Sequence, residues 1–313
     1  MGGLRSSLHV VAALALAGCA AIEDIDTTQV PDLRPVIVPE PRPVRSDDSF
    51  AQERFYRKVE TNLLTRGLLR ADGGGPDVPF TDEMLARNFM ALAFSEEFAD
   101  TGGIVQASGR PSTLHRWTTP IALETVFGAT VAEAEVERDT QLIEAYASRL
   151  SRVTGHPVTF SDEGSNFTLF VLHDQDLVRV GPSLRARMPE ISDSEIAFVE
   201  TLPLETYCVV FTSDPGNDGR IARAIAIVRA ELPPALRTSC YHEELAQGLG
   251  LANDSDFARP SIFKDDDEFG RLTDHDEALL TMLYDPRLAP GMSESTAQPI
   301  VLSIARALLA SGS

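Results

Sequence analysis

Cys240-Tyr-His-Glu-Glu-Leu-Ala-Gln-Gly-Leu-Gly-Leu-Ala-Asn-Asp254 concentrates more chemistry than any other stretch of this 313-residue chain. Its spacing predicts a helix over residues 239–251. Ala246, Leu249 and Leu251 fall on an apolar side, and Glu243, Glu244 and Gln247 form a wet one. Gly250 lies near the end, where glycine commonly stops a helix. Pro233-Pro234 separates this helix from an apolar run before it. A helix over 273–284 follows, capped by Thr273 with Asp274 in its first turn, and another over 293–309 closes the chain.

Toward the N-terminus, helices and strands mix. A strand lies within 116–127. A long helix over 131–154 carries Ile143, Tyr146, Ala147 and Leu150 on its core face. Strands are expected at 156–160, 167–173, 207–212 and 221–231, with a short helix at 191–202. Such an order predicts an α/β (α+β) domain with one mixed sheet and packed helices. Two earlier segments, residues 50–69 and a helix after Thr81 bearing Met84, Leu85, Leu92 and Phe94, read as a helical N-terminal element over 51–105. The main domain is then expected over 106–313. No internal repeat is visible.

The quoted stretch resembles the zinc helix of metzincin peptidases, H-E-x-x-H-x-x-G-x-x-H/D. In that motif two histidines on one helix face bind zinc, the adjacent glutamate activates water, and the glycine turns the chain so a third ligand returns. Laid alongside, the first histidine becomes Glu243 and the second Gln247. The glutamate is kept as Glu244 and the glycine as Gly250. The third ligand becomes Asn253, with Asp254 next to it. The order of a long helix, strands and then this helix also fits, and residues 272–284 resemble the C-terminal helix of the matrixin branch. The methionine expected beneath the zinc would fall near Ser261-Ile262-Phe263, and none is there. Zinc favours imidazole and thiolate over carboxamide, so no zinc and no cofactor is expected. An oxygen set better suits calcium or magnesium, for which one carboxylate and two amides make a poor cage.

A longer block is similar to proteobacterial lipoproteins that carry domain of unknown function 2927. It includes His242-Glu-Glu-Leu-Ala-Gln-Gly-Leu-Gly-Leu-Ala-Asn-Asp254, Ala258-Arg-Pro-Ser-Ile-Phe263, Asp265-Asp-Asp-Glu-Phe269, Leu272-Thr-Asp-His-Asp-Glu277 and Leu283-Tyr-Asp-Pro-Arg-Leu288. Leu114-His-Arg-Trp117 and Pro120 match the start of that domain. The resemblance covers residues 110–310. It implies a lipoprotein and no known reaction.

The N-terminus agrees from different residues. Arg5 is followed by the unbroken apolar run 10–16 and then Leu16-Ala17-Gly18-Cys19. A charged start, a short apolar core and small residues before the cut make a secretory signal. The run is too short to cross about 30 Å of hydrocarbon. Leu-Ala-Gly-Cys resembles the bacterial lipobox, which implies a signal peptide over 1–18, acylation of Cys19 by palmitate-like chains and membrane attachment through them. Ala20, where enteric inner-membrane lipoproteins carry Asp, points to the outer membrane, facing the periplasm. Residues 19–50, with Pro31, Pro39, Pro41 and Pro43, read as an extended tether.

With 27 basic and 47 acidic residues the net charge is -20. That repels phosphate backbones, so no nucleic-acid partner is expected. With Cys19 lipidated, Cys208 and Cys240 remain as an even pair in an oxidising compartment, which predicts a disulfide. His242, beside two glutamates, offers a ligand or base, or else a solvated residue at the helix start. His275 reads as a surface residue. Residues 265–268 form an acidic turn without the alternating ligands and central glycine of a calcium loop. No Gly-x-Ser-x-Gly and no Gly-x-x-x-x-Gly-Lys occurs. The candidate cleft or catalytic residues are therefore His242, Glu243, Glu244, Gln247, Asn253 and Asp254. Two readings follow. One is a non-catalytic envelope lipoprotein that binds a polypeptide or cell-wall partner. The other is a hydrolase with Glu244 as general base.

Overall fold

The computed structural model describes residues 43–100, 104–161, 163–264 and 266–311. Cys19, the expected signal peptide and most of the tether lie outside them.

Helix α1 (Asp47–Thr65) starts at Ser46, whose side chain accepts from the Ser49 amide, and carries Asp47 and Asp48 at its positive end. It stops at Thr65, before the expected Asp72–Pro76 breaker, because Gly67 takes a φ of +76°. Helix α2 (Asp82–Ala93) begins as expected at Thr81, whose hydroxyl accepts from the Met84 amide. A hairpin follows, β1 (Ser95–Asp100) antiparallel to β2 (Val105–Pro111). Its polar Ser-Glu-Glu start has no apolar alternation, so nothing in the sequence announces it. Next come β3 (Arg116–Trp117), β4 (Ile121–Phe127) and the long α3 (Glu133–Thr154), which ends at Gly155 with φ +66°.

After β5 (Val158–Phe160) and β6 (Phe167–Leu172) come three short helices, α4 (Asp174–Leu177), α5 (Gly181–Arg187) and α6 (Asp193–Glu200). Strands β7 (Cys208–Ser213), β8 (Arg220–Ile221) and β9 (Arg223–Arg229) lead into α7 (Pro234–Gln247), the helix of the quoted stretch. Helices α8 (Asp274–Leu283) and α9 (Glu294–Ser311) complete the described chain.

The class is mixed α/β. The central sheet has the order β5-β4-β6-β9-β7, with the first four strands parallel and β7 antiparallel along one edge. Strand β6 is buried at every position, as a central parallel strand covered on both faces must be. One sheet face packs on α3 and α7, and α8 packs on α3 behind them. The other covers a smaller core of Leu184, Met188, Ile191 and Val199 from the α5–α6 region. Tyr56, Leu63, Leu85, Phe89 and Leu92 from α1 and α2 join the larger core, together with Leu279 and Val301. The expected division at 105/106 thus falls inside β2, after its first residue.

Candidate functional site

The site is built around α7. Pro234 opens this helix earlier than the pattern suggested, and no side chain of its own caps it. The cap comes from α1: Glu60 Oε2 accepts from the amides of Ala235 at 2.7 Å and Leu236 at 3.0 Å. A carboxylate there satisfies two orphan donors and meets the positive helix end. In mid-helix, Cys240 is joined to Cys208, with Cα atoms 5.9 Å apart, so the expected disulfide ties α7 to the edge strand β7. At the C-terminal end, Trp117 Nε1 donates to the Gly248 carbonyl at 2.8 Å, and the Tyr284 hydroxyl to that of Leu249 at 3.1 Å. Gly250 has φ +126°, and a Cβ there would sit 2.1 Å from the His115 carbonyl oxygen. Only glycine allows this close turn, and the turn brings Asp254 back over α7.

There Gln247 Nε2 donates to Asp254 Oδ1 at 3.0 Å and to Glu97 Oε2 at 3.4 Å. Glu97 arrives on β1, which is held by its own amide donating to the Ala252 carbonyl. Beneath them lies Glu244, only 4% exposed, with Oε2 buried and without a hydrogen-bond partner. Burial pushes its carboxyl well above the usual carboxylate range, and the nearby charges of Glu97 and Asp254 push the same way. Glu97, Glu205, Glu243, Glu244, Asp254 and Asp267 all line one cavity of about 260 Å³. Among the described residues its one cation is Lys264, which lies 2.5 Å from Asp266.

A second cavity of about 280 Å³ shares Glu97 and Gln247 with the first, and continues along Val210, Phe211 and Thr212 of β7. The two together form a cleft beside the sheet edge. Arg229 N donates to the Tyr207 carbonyl, and Ala222 N to that of Ser213, so the odd-numbered residues of β7 turn their backbone groups toward β9. Alternation then points the N–H and C=O groups of Cys208, Val210 and Thr212 outward, into the cleft. Among the described strands, only β9 pairs with β7.

The predicted site residues divide. Glu243, Glu244, Gln247 and Asp254 share the acidic cavity. Glu244 and Gln247 are buried rather than on a wet face. Asn253 is turned away: its Nδ2 donates to the carbonyls of Ala91 and Asp254, pinning the exit loop to α2. His242 lies across the helix, stacked on Tyr146 at 4.0 Å, with Nδ1 accepting from the Leu272 amide. Burial, with Arg271 and Arg149 nearby, pushes its pKa down to about 3. It is half-buried and does not stand at the helix start, because the helix begins at Pro234.

His275, read as a surface residue, is fully buried against Phe80 and hydrogen-bonded to Asn88. The capping box of Thr273 and Asp276 draws the first turn of α8 inward. Asp276 also accepts from the Ser261 hydroxyl and the Ile262 amide, fixing the loop where a metzincin methionine would lie. In the acidic turn Asp265 lies outside the described residues. Asp266 pairs with Lys264, and Glu268 with Arg259.

Among the described residues one trio has ligand atoms spaced for a metal: Cys208, Glu243 and Glu244. The Cys208 sulfur is engaged in the disulfide and supplies no thiolate, so two carboxylates remain. Sequence reasoning missed Glu97 and the outward edge of β7. The only local signal for the former was the Glu96-Glu97 pair.

The sequence model of the family described as "Protein of unknown function (DUF2927)" matches residues 82–303, and the chain belongs to that family. The match begins at the first residue of α2 and runs into α9. No curated protein and no solved structure matches the chain.

Proposed function

We propose that this member of the family is a cell-envelope lipoprotein, anchored through Cys19, whose cleft holds an extended polypeptide or cell-wall partner without cutting it. The observation that carries the binding role is the open edge of β7. Its outward N–H and C=O groups at Cys208, Val210 and Thr212 face a cleft floored by α7. An added strand satisfies such groups with main-chain hydrogen bonds. The metzincin resemblance supports the same reading. Strand β4 and then the long α3 lead in, the remaining strands of the central sheet follow, α7 comes after β9, and Gly250 turns the chain back over α7. Glu243, Gln247 and Asn253 stand at the ligand positions, which argues for binding over zinc chemistry.

The test uses an unfolded, carboxymethylated polypeptide. The expected result is binding without new termini, lost in Thr212→Pro. That variant removes one outward donor at an exposed edge position where proline is tolerated. Binding that survives Thr212→Pro overturns strand addition. Fractionation tests the anchor: Cys19→Ser is expected to leave the membrane fraction.

A second reading rests on Glu244. A carboxyl that keeps its proton, beside Glu97 and Asp254 in one cavity, is equipped for acid–base work. Cleavage of the unfolded polypeptide, abolished by Glu244→Gln, would replace binding with hydrolysis.

A further inference from the structure

We propose that the acidic cavity beside β7 selects one basic side chain, Lys or Arg, from a polypeptide docked along that strand. The inference rests on the strand-addition reading and names what the added strand must carry.

Three observations lead to it. First, the cavity adjoins the Cys208 end of the outward edge and shares Glu97 and Gln247 with the neighbouring cavity along Val210 and Thr212. A side chain leaving a docked strand there enters it. Second, among the described residues six carboxyl-bearing side chains line the cavity against one cation, Lys264, which sits at Asp266. Third, Glu244 Oε2 is buried in its wall with no hydrogen-bond partner. A buried acceptor left unmatched costs free energy that an incoming N–H donor restores.

The donor set favours an organic cation over a metal ion. The Gln247 amide nitrogen already stands between Asp254 and Glu97, so those two carboxylates face it from separate sides. A calcium ion needs six or more oxygens at about 2.4 Å around one point. A guanidinium carries five N–H donors that diverge, and an ammonium three. Acceptors spread round a cavity wall suit either of these.

The full-length chain is titrated with two synthetic peptide pairs of alternating valine and serine. One pair carries a central arginine or its neutral isostere citrulline, and the other a central lysine or norleucine. The arginine and lysine peptides are expected to bind at least tenfold more tightly than their partners at low salt. The ratio is expected to shrink at high salt, and in Glu97→Gln combined with Asp254→Asn. Equal affinities within each pair overturn this inference and leave strand addition standing. No binding of any peptide removes both. Calcium or manganese alone, bound tightly and displacing the arginine peptide, would make the cavity a metal site and overturn the inference. The peptide comparison needs no protein variant, so it holds even where a substitution disturbs folding.

Discussion

Replacing Glu244 by Gln tests the electrostatics of the site directly. Glu244 is buried, and burial, with Glu97 and Asp254, raises its carboxyl well above the usual range. In the unfolded chain the same group ionises near its ordinary value of about 4.3. Between those two values the unfolded state has lost a proton that the folded state retains. Stability must therefore fall as pH rises, by about 1.4 kcal/mol for each unit across which Glu244 stays protonated. Glutamine has the shape of the protonated acid and no titration. Its amide also lies near two carboxylates that can accept from it. Urea unfolding of both proteins from pH 5 to 8.5 cancels, in the difference, the titrating groups that do not interact with Glu244. That difference is expected to widen with pH in favour of Glu244→Gln and then level off at the folded pKa. Parallel curves across the range would mean that Glu244 ionises as it does in water, and the desolvation argument would be refuted.

Four further outcomes follow from the same structure. His242 runs the opposite way: its pKa is pushed down to about 3, so stability is lost as pH falls below about 6.5, and His242→Gln should flatten that acid limb in urea unfolding. Opening the Cys208–Cys240 disulfide by a double serine substitution frees a loop of sequence separation 32, a loss of about 3.7 kcal/mol in the chain-entropy model; a urea-midpoint change worth under about 1 kcal/mol would contradict it. Glu60→Ala leaves the Ala235 and Leu236 amides uncapped and should cost about 1 kcal/mol, with an unchanged melting temperature showing that water caps α7 equally well. Gly250→Ala forces a Cβ against the His115 carbonyl, costing roughly 3 kcal/mol from backbone strain and overpacking, and should loosen Asp254 from Gln247 as seen in amide exchange over the exit loop.

The elements that the sequence announced are those whose signal is local. The Thr81 and Thr273 caps, the amphipathic α3, the apolar β6 and the proline before α7 each follow from neighbours a few residues apart. The cysteine pair was legible too: with Cys19 read as the lipidated residue, only Cys208 and Cys240 were left to pair, and the structure joins them. The hairpin of β1 and β2 left no such trace. Its strands are polar and are held by long-range bonds, such as that from Glu97 to Ala252.

The mixed α/β class, the family and the helix on which the site is built are legible in contiguous residues. Periodicity, capping and a long specific block are properties of such residues. Which polar groups act together depends on the fold in three dimensions. It brought Glu97, 150 residues before Gln247, to within 3.4 Å of it, and it turned His242 to the far side of α7. It buried Glu244 Oε2 without a hydrogen-bond partner and, among the described strands, left the outer edge of β7 unpaired. Burial, and the proton affinity that burial sets, depend on what packs around a side chain, and residue spacing carries no record of that.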